Sequence, residues 1–333
     1  MAQIQFLKSG HDEFLDFIKA YAIIGVIFGH TWLFMSKTPG LGLFFGVDVP
    51  LFLLIQVFHF YKKDSKLNLT KVFSRVFLPY FIVQAILFLY VIFLNGFNYS
   101  VLLGGVIMFG FGPGSYYPLI YIQIAVSLVI FKNLFKRISK GWLFFIFLLL
   151  SEGLEILCSY TNPPNWLFRI LAFRYVFLIY LGYLWVKDGI VIDAKMIVLA
   201  ILSAATVIYF VYFQRENEPW FFNTAWKYSR WPCYYWVSNG LITILWFLWK
   251  VLKKSKFFCK CVCTLAKTSW EIFLMQMASI YVIKQSMLPI DNKVMQYVLY
   301  MIIIWTISIG GGIILNKLWS NLLYGRKNVQ KSN

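Results

Sequence analysis

Charge is the scarcest property of this chain. Asp, Glu, Lys and Arg make up 13% of its 333 residues, while 60% are hydrophobic and 20% aromatic. A soluble domain carries roughly twice that charge, so a soluble fold is excluded and an integral membrane protein is expected. Acidic groups are the rarest, 13 against 31 Lys and Arg, for a net charge of +18. Such a surplus elsewhere points to nucleic acid. Here the basic residues stand in short segments between long apolar runs, where they set topology, and no nucleic-acid partner is expected.

Five cysteines supply no disulfide framework. Cys259, Cys261 and Cys263 fall in a basic loop expected in the reducing cytosol, and a C-x-C-x-C run without a nearby histidine is a poor zinc site. No metal is expected. Cys158 and Cys233 both fall near the predicted outer face, so a disulfide between them stays open. There is no internal repeat and no low-complexity tract. Met35-Ser36-Lys37, after the first apolar run, is no small-residue cleavage site, so that run is expected to be retained.

What the chain has instead is spanning runs, near 14–35, 41–60, 73–94, 117–135, 142–158, 168–186, 196–213, 233–252, 269–288 and 296–317. About 20 apolar residues cross a bilayer. These runs predict an all-α integral membrane bundle of about ten transmembrane helices, forming a single domain over 1–333 with no fused soluble domain. Val101–Phe111 is apolar but short and glycine-rich, which suggests an interfacial or re-entrant piece. With the N-terminus inside, 22 basic residues fall on inner segments and seven on outer ones. That threefold bias places both termini in the cytoplasm and predicts a multi-pass protein of the cell membrane, in contact with its lipids.

The first run carries the most telling pattern. Asp16, Lys19 and His30 share one stripe of a helix, with Lys19 and His30 about 16 Å apart along its axis. Such groups are expensive in hydrocarbon and are kept where they line a cavity or a bundle interior. His30 is the one histidine of three placed deep in a span. It suits a general base near neutral pH, with a hydrogen-bonded buried histidine as the plain alternative. Lys19 sits where it can snorkel or hold a phosphate. Asp16 either steers Lys19 or forms a simple i,i+3 ion pair.

Phe14-Leu15-Asp16-Phe17-Ile18-Lys19-Ala20 followed by His30 resembles the first helix of the membrane acyltransferase-3 family, which carries an Asp, an Arg, ten residues and a His. Lys19 stands where that family usually has Arg, keeping the charge but losing the bidentate fork. Gly46-Val47-Asp48-Val49-Pro50-Leu51-Phe52-Leu53 is similar to its second-helix motif, with Ile55-Gln56 in place of Ser-Gly. Arg75 before Pro79 resembles the basic start of its third helix, with Val72 at the position of the first of its paired arginines and Lys71 beside it. Ser269-Trp270-Glu271-Ile272-Phe273-Leu274 resembles its ninth-helix signature, with Gln276 near the spot where a histidine is common.

The resemblance implies an O-acetyltransferase of the polysaccharide or sugar type. Cytoplasmic acetyl-CoA would be the donor substrate, and a hydroxyl of a cell-surface polysaccharide or lipid-linked glycan the acceptor. His30 would serve as general base, or as an acyl-histidine, with Asp16 and Lys19 beside it. Lys19, Lys71 and Arg75 would hold the acyl-CoA phosphates, and a separate extracytoplasmic partner could receive the acyl group.

Other stretches are candidate acceptor-binding parts. Gly110-Phe111-Gly112-Pro113-Gly114-Ser115-Tyr116-Tyr117 breaks the chain at the predicted outer side, with Ser115 as a helix cap and Gln123 one to two turns deeper. It could receive the acceptor or simply start a helix. The segment from Gln214 to Trp236, including Trp231, suits stacking on sugar rings or an interfacial aromatic belt. Arg174, a second intramembrane charge, would serve the cavity or pair with Glu152 or Glu155. His59 and Tyr61 read as interfacial. The rival reading is a transporter or flippase for a lipid-linked glycan using Lys19, His30 and Arg174; the missing inverted repeat weighs against it. A membrane O-acyltransferase of the other major type would need a histidine beyond position 59, and none occurs.

Overall fold

The computed structural model describes residues 2–4, 12–35, 48–62, 67–161, 164, 167, 170–212, 234–285 and 293–329. Two three-residue strands, β1 (Ala2–Ile4) and β2 (Ile190–Ile192), pair antiparallel. The other described elements are helices. They run α1 (Glu13–Met35), α2 (Asp48–Lys62), α3 (69–95), α4 (Tyr99–Ile107), α5 (Tyr117–Arg137), α6 (Lys140–Thr161), α7 (Val176–Lys187), α8 (Ala194–Tyr212), α9 (236–252), α10 (Lys256–Lys267), α11 (Ser269–Gln285) and α12 (Lys293–Val329).

A helix lies on each of the ten predicted runs. Among the described residues, five helical stretches are long and apolar enough to cross a membrane: Glu13–Thr31, Leu69–Leu94, Tyr117–Arg137, Lys140–Cys158 and Val294–Leu322. Shorter apolar helices lie at Val49–Lys62, Val176–Lys187 and Trp236–Leu252. Run 168–186 is helical from Ala172, first as a 3-10 turn over Ala172–Tyr175. The Cys259–Cys263 stretch, expected as a loop, is instead helix α10, begun by Ser255, whose Oγ accepts from the Phe258 amide.

Local chemistry explains where elements start and bend. Asp12 Oδ1 accepts from the Phe14 and Leu15 amides at 3.1 and 3.3 Å, capping α1. Asn68 caps α3 by accepting from the Lys71 amide. Pro79 lacks an N–H and crowds the preceding turn, and just before it α3 widens into a π turn over Phe73–Phe77. The register of β1 and β2 sets Ile4 opposite Ile190, and both are buried. This pairing holds the N-terminus against the α7–α8 connection, where Lys140 of α6 also pairs with Asp188.

Burial runs opposite ways inside and out. Two thirds of the most apolar window of α1 is buried, against a third or less in the other four spanning helices. Ile18, Ala22, Ile23 and Ile27 are fully enclosed, with α1 packed on α2, α9, α10, α11 and α12. Ile86, Leu89 and Phe93 of α3, Ile130 of α5, Leu149 of α6 and Ile314 of α12 face outward. Large apolar side chains exposed along whole helix faces fit lipid as the surrounding solvent. The protein is thus a helical, multi-pass membrane protein whose first helix is its axis.

Candidate active site

A cavity of about 790 Å³ opens beside that axis, within the size range of pockets that take cofactor-sized ligands. Lys19 of α1, Lys71 and Arg75 of α3 and Lys267 of α10 all line it. The π turn carries Arg75, four residues along the helix from Lys71. α10 ends at Lys267, where its last turn meets the start of α11. Four cations from three separate stretches of chain therefore converge on one mouth. Sequence reasoning placed three of them there; Lys267 was legible only as an inner-face charge.

Above the cations the lining turns aromatic and amide-bearing. Tyr117 packs on Trp270 and Phe273, with ring centroids 6.1 and 5.6 Å apart, and all three line the cavity. Gln56 lines it too, its Nε2 donating to the Tyr121 carbonyl at 3.0 Å. Glu271, buried, faces the same space and hydrogen-bonds Asn316 of α12. His59, read from sequence as interfacial, is a lining residue as well.

Along α1 the cavity reaches from Lys19 to Val26, about 10 Å by helix rise. His30 is one turn farther on the same face and is partly exposed. Its Nδ1 lies 3.0 Å from Nε2 of Gln276, a fully buried residue of α11. The Val26 backbone is a second hydrogen-bond partner of the ring. The imidazole therefore sits at the upper end of the stripe that the cavity follows, held from two sides. Asp16 and Lys19 form an i,i+3 ion pair at 3.6 Å, with Asp16 buried and Lys19 partly exposed toward the cavity.

The candidate acceptor residues do not come together as one group. Tyr117 lines the cavity and Tyr116 packs against the core just before α5. Gln123 instead clamps backbone: its Nε2 donates to the Ile170 carbonyl at 2.6 Å and its Oε1 accepts from the Ala172 amide at 3.1 Å. Arg174 lies in the 3-10 turn that leads straight into α7, and its side chain is outside the described residues. Trp231 lies outside the described residues, as does most of the 214–236 segment. Cys158 is partly buried on α6, and Cys233 is outside the described residues.

The glycine-rich break, expected to receive the acceptor or start a helix, is gripped by side chains of α3. Tyr80 donates to the Phe109 and Ser115 carbonyls, and Gln84 grips Phe111 at both its N–H and its carbonyl. Tyr80 and Gln84 lie about 17–23 Å along a helix roughly 40 Å long, near its middle. Buried irregular backbone survives only when protein satisfies its polar groups. Here Tyr80 and Gln84 do so. Ser115, expected as a helix cap, instead donates to the Met108 carbonyl. Gly112 has φ of +91°, and a Cβ there would stand 2.7 Å from the Met277 carbonyl oxygen, so no other residue fits.

An axial helix that carries an ion pair beside a cationic cavity, with an imidazole one turn beyond that cavity's lining, is the centre of this membrane protein. A family model, that of the acyltransferase-3 family (Acyltransferase domain), matches residues 12–316. The chain belongs to that family, and is a membrane acyltransferase. No curated protein and no solved structure matches it.

Proposed function

We propose that this protein transfers an acetyl (acyl) group from cytoplasmic acetyl-CoA to a hydroxyl of a cell-surface polysaccharide or lipid-linked glycan, with His30 as general base. The observation that carries this reading is a cavity lined by four cations, along which α1 runs from Lys19 to Val26, one turn short of His30. A nucleotide with several phosphates suits such a mouth, since charge-assisted bonds from Lys and Arg hold phosphate oxygens. The rise of about 16 Å from Lys19 to His30 is comparable with the reach of the pantetheine arm. Ten spans with both termini inside fit this layout, because the donor and the acceptor then meet from opposite faces of the membrane.

In this scheme the acceptor hydroxyl gives its proton to His30 as its oxygen attacks the thioester carbonyl. The C–O bond forms, the C–S bond breaks, and the coenzyme A thiolate leaves with the proton returned from the imidazolium. A positioned base accounts for about 10²- to 10⁴-fold of the rate, and holding both reactants in one tunnel accounts for much of the rest. Asp16 keeps Lys19 upright at the mouth, and Tyr116, Tyr117, Gln123, Arg174 and Trp231 are the acceptor-side candidates.

The deciding experiment uses purified full-length protein in lipid nanodiscs with radiolabelled acetyl-CoA. Wild type transfers or hydrolyses the label, and His30→Ala does not while keeping its elution profile and thermal midpoint. Unchanged turnover in His30→Ala rejects the general-base assignment and favours transport.

A further inference from the structure

Gln276 is fully buried, and its amide faces His30 Nδ1 at 3.0 Å. Its Oε1 has no hydrogen-bond partner among the described residues. The neighbouring polar groups on its own helix are committed elsewhere: Ser279 donates to the Gln276 backbone carbonyl and meets Ser308 of α12, which bonds the Ile304 carbonyl. The side-chain amide is thus directed at one ring nitrogen and at nothing else described.

An amide offers a donor on one side and an acceptor on the other, and half a turn about its terminal bond exchanges them. Which face it presents decides the tautomer of the imidazole. With the NH₂ toward Nδ1, that nitrogen must be bare and the proton sits on Nε2, leaving no lone pair for an incoming hydroxyl. With Oε1 toward Nδ1, that nitrogen carries the hydrogen and Nε2 is free to accept. The Val26 backbone is the ring's second partner.

We infer that Gln276 is a positioning residue that turns Oε1 toward His30, fixes the Nδ1–H tautomer and leaves Nε2 as the basic atom. This rests on the general-base reading of His30 and deepens it. A neutral amide does this without adding charge to the bundle interior, where an uncompensated ion is costly. After proton transfer both ring nitrogens are donors, and Oε1 still accepts from Nδ1–H, so one orientation serves before and after the step.

The test has two independent arms. Nitrogen-15 NMR of full-length protein in bilayers reads the tautomer directly. Only three histidines contribute, and the His30→Ala spectrum identifies the His30 signals by difference. Wild type is expected in the Nδ1–H form, and Gln276→Leu in the Nε2–H form or a mixture. In the kinetic arm, Gln276→Leu lowers kcat about 10- to 100-fold with KM for acetyl-CoA within about twofold, the range spanned by a mispositioned base. Gln276→Glu, which keeps an acceptor, recovers at least a third of the lost activity.

A wild-type Nε2–H signal, or a tautomer unchanged in Gln276→Leu, overturns the inference, as does full kcat in Gln276→Leu where His30→Ala is inactive. Activity in His30→Ala instead fails the base reading itself, while the NMR arm still reports whether Gln276 sets the ring. Should Gln276→Leu fold poorly, Gln276→Met fills the same volume without a polar group and carries the same expectations.

Discussion

Nε2 of Gln276 and Nδ1 of His30 lie 3.0 Å apart although 246 residues separate them in the chain. That contact joins the first helix to α11, and it places a neutral amide on the imidazole at the upper end of the cavity stripe. Most of the predictions below concern what lies along that stripe or what holds its walls in place.

His30→Ala should lower acyl transfer by at least 10²-fold, the smallest loss expected for a positioned base. The thermal midpoint should move little, because the partly exposed ring leaves only a small void. Turnover with radiolabelled donor and a melting curve on the same preparation check both parts.

Removing one mouth cation, as in Lys71→Ala or Lys267→Ala, should raise KM for acetyl-CoA up to about tenfold, since a hydrogen bond to a charged group contributes about 1.5–3 kcal/mol at most sites and solvent weakens it at exposed ones. Donor binding in wild type should weaken with rising salt, and the slope should be shallower in each variant. Lys19→Arg should bind the donor at least as tightly, because guanidinium holds phosphate through two parallel bonds.

Gln84→Leu should destabilise the fold by about 1–3 kcal/mol for each Phe111 backbone group it leaves buried and unpaired. Both groups lose their partner at once, so the drop in thermal midpoint should exceed that of Tyr80→Phe, since the Ser115 and Phe109 carbonyls lose a donor but no N–H is stranded.

Gly112→Ala should cost about 1–3 kcal/mol from backbone strain alone, with the clash against the Met277 carbonyl added to it. Gly141, whose Cβ would meet nothing within 4 Å, provides the control: its alanine variant should leave the midpoint unchanged or slightly raised.

The side of the membrane that α10 faces can be read from its own thiols. Cys259, Cys261 and Cys263 are free and partly exposed. A membrane-impermeant maleimide should label them in inside-out vesicles and leave them unlabelled in intact cells, in a Cys158→Ser, Cys233→Ser background. Labelling from the outside would invert the topology.

Much of the site was legible along α1 because a helix converts spacing into a face. Asp16, Lys19 and His30 needed no tertiary information to share a stripe, and their cost in hydrocarbon marked that stripe as interior. Lys71 and Arg75 were legible for the same reason, as charges next to a proline-marked helix start. Gln123 was not: an amide in an apolar run looks the same whether it faces a ligand or clamps the backbone at Ile170 and Ala172. The grip of α3 on the Gly110–Ser115 break was hidden too, since glycines announce a turn and say nothing about which side chains will hold it.

By itself the sequence determined that this chain lives in a membrane, which residues its first helix sets on one face, and the family to which it belongs. Those follow from composition and from the 3.6-residue period, both local properties. Only the tertiary structure decided that Lys267 joins the mouth, that Gln276 rather than a charged group meets the imidazole, and that Tyr80 and Gln84, midway along α3, hold irregular backbone. Each of these pairs groups far apart in the chain, and distance along a sequence carries no information about which helix faces will pack.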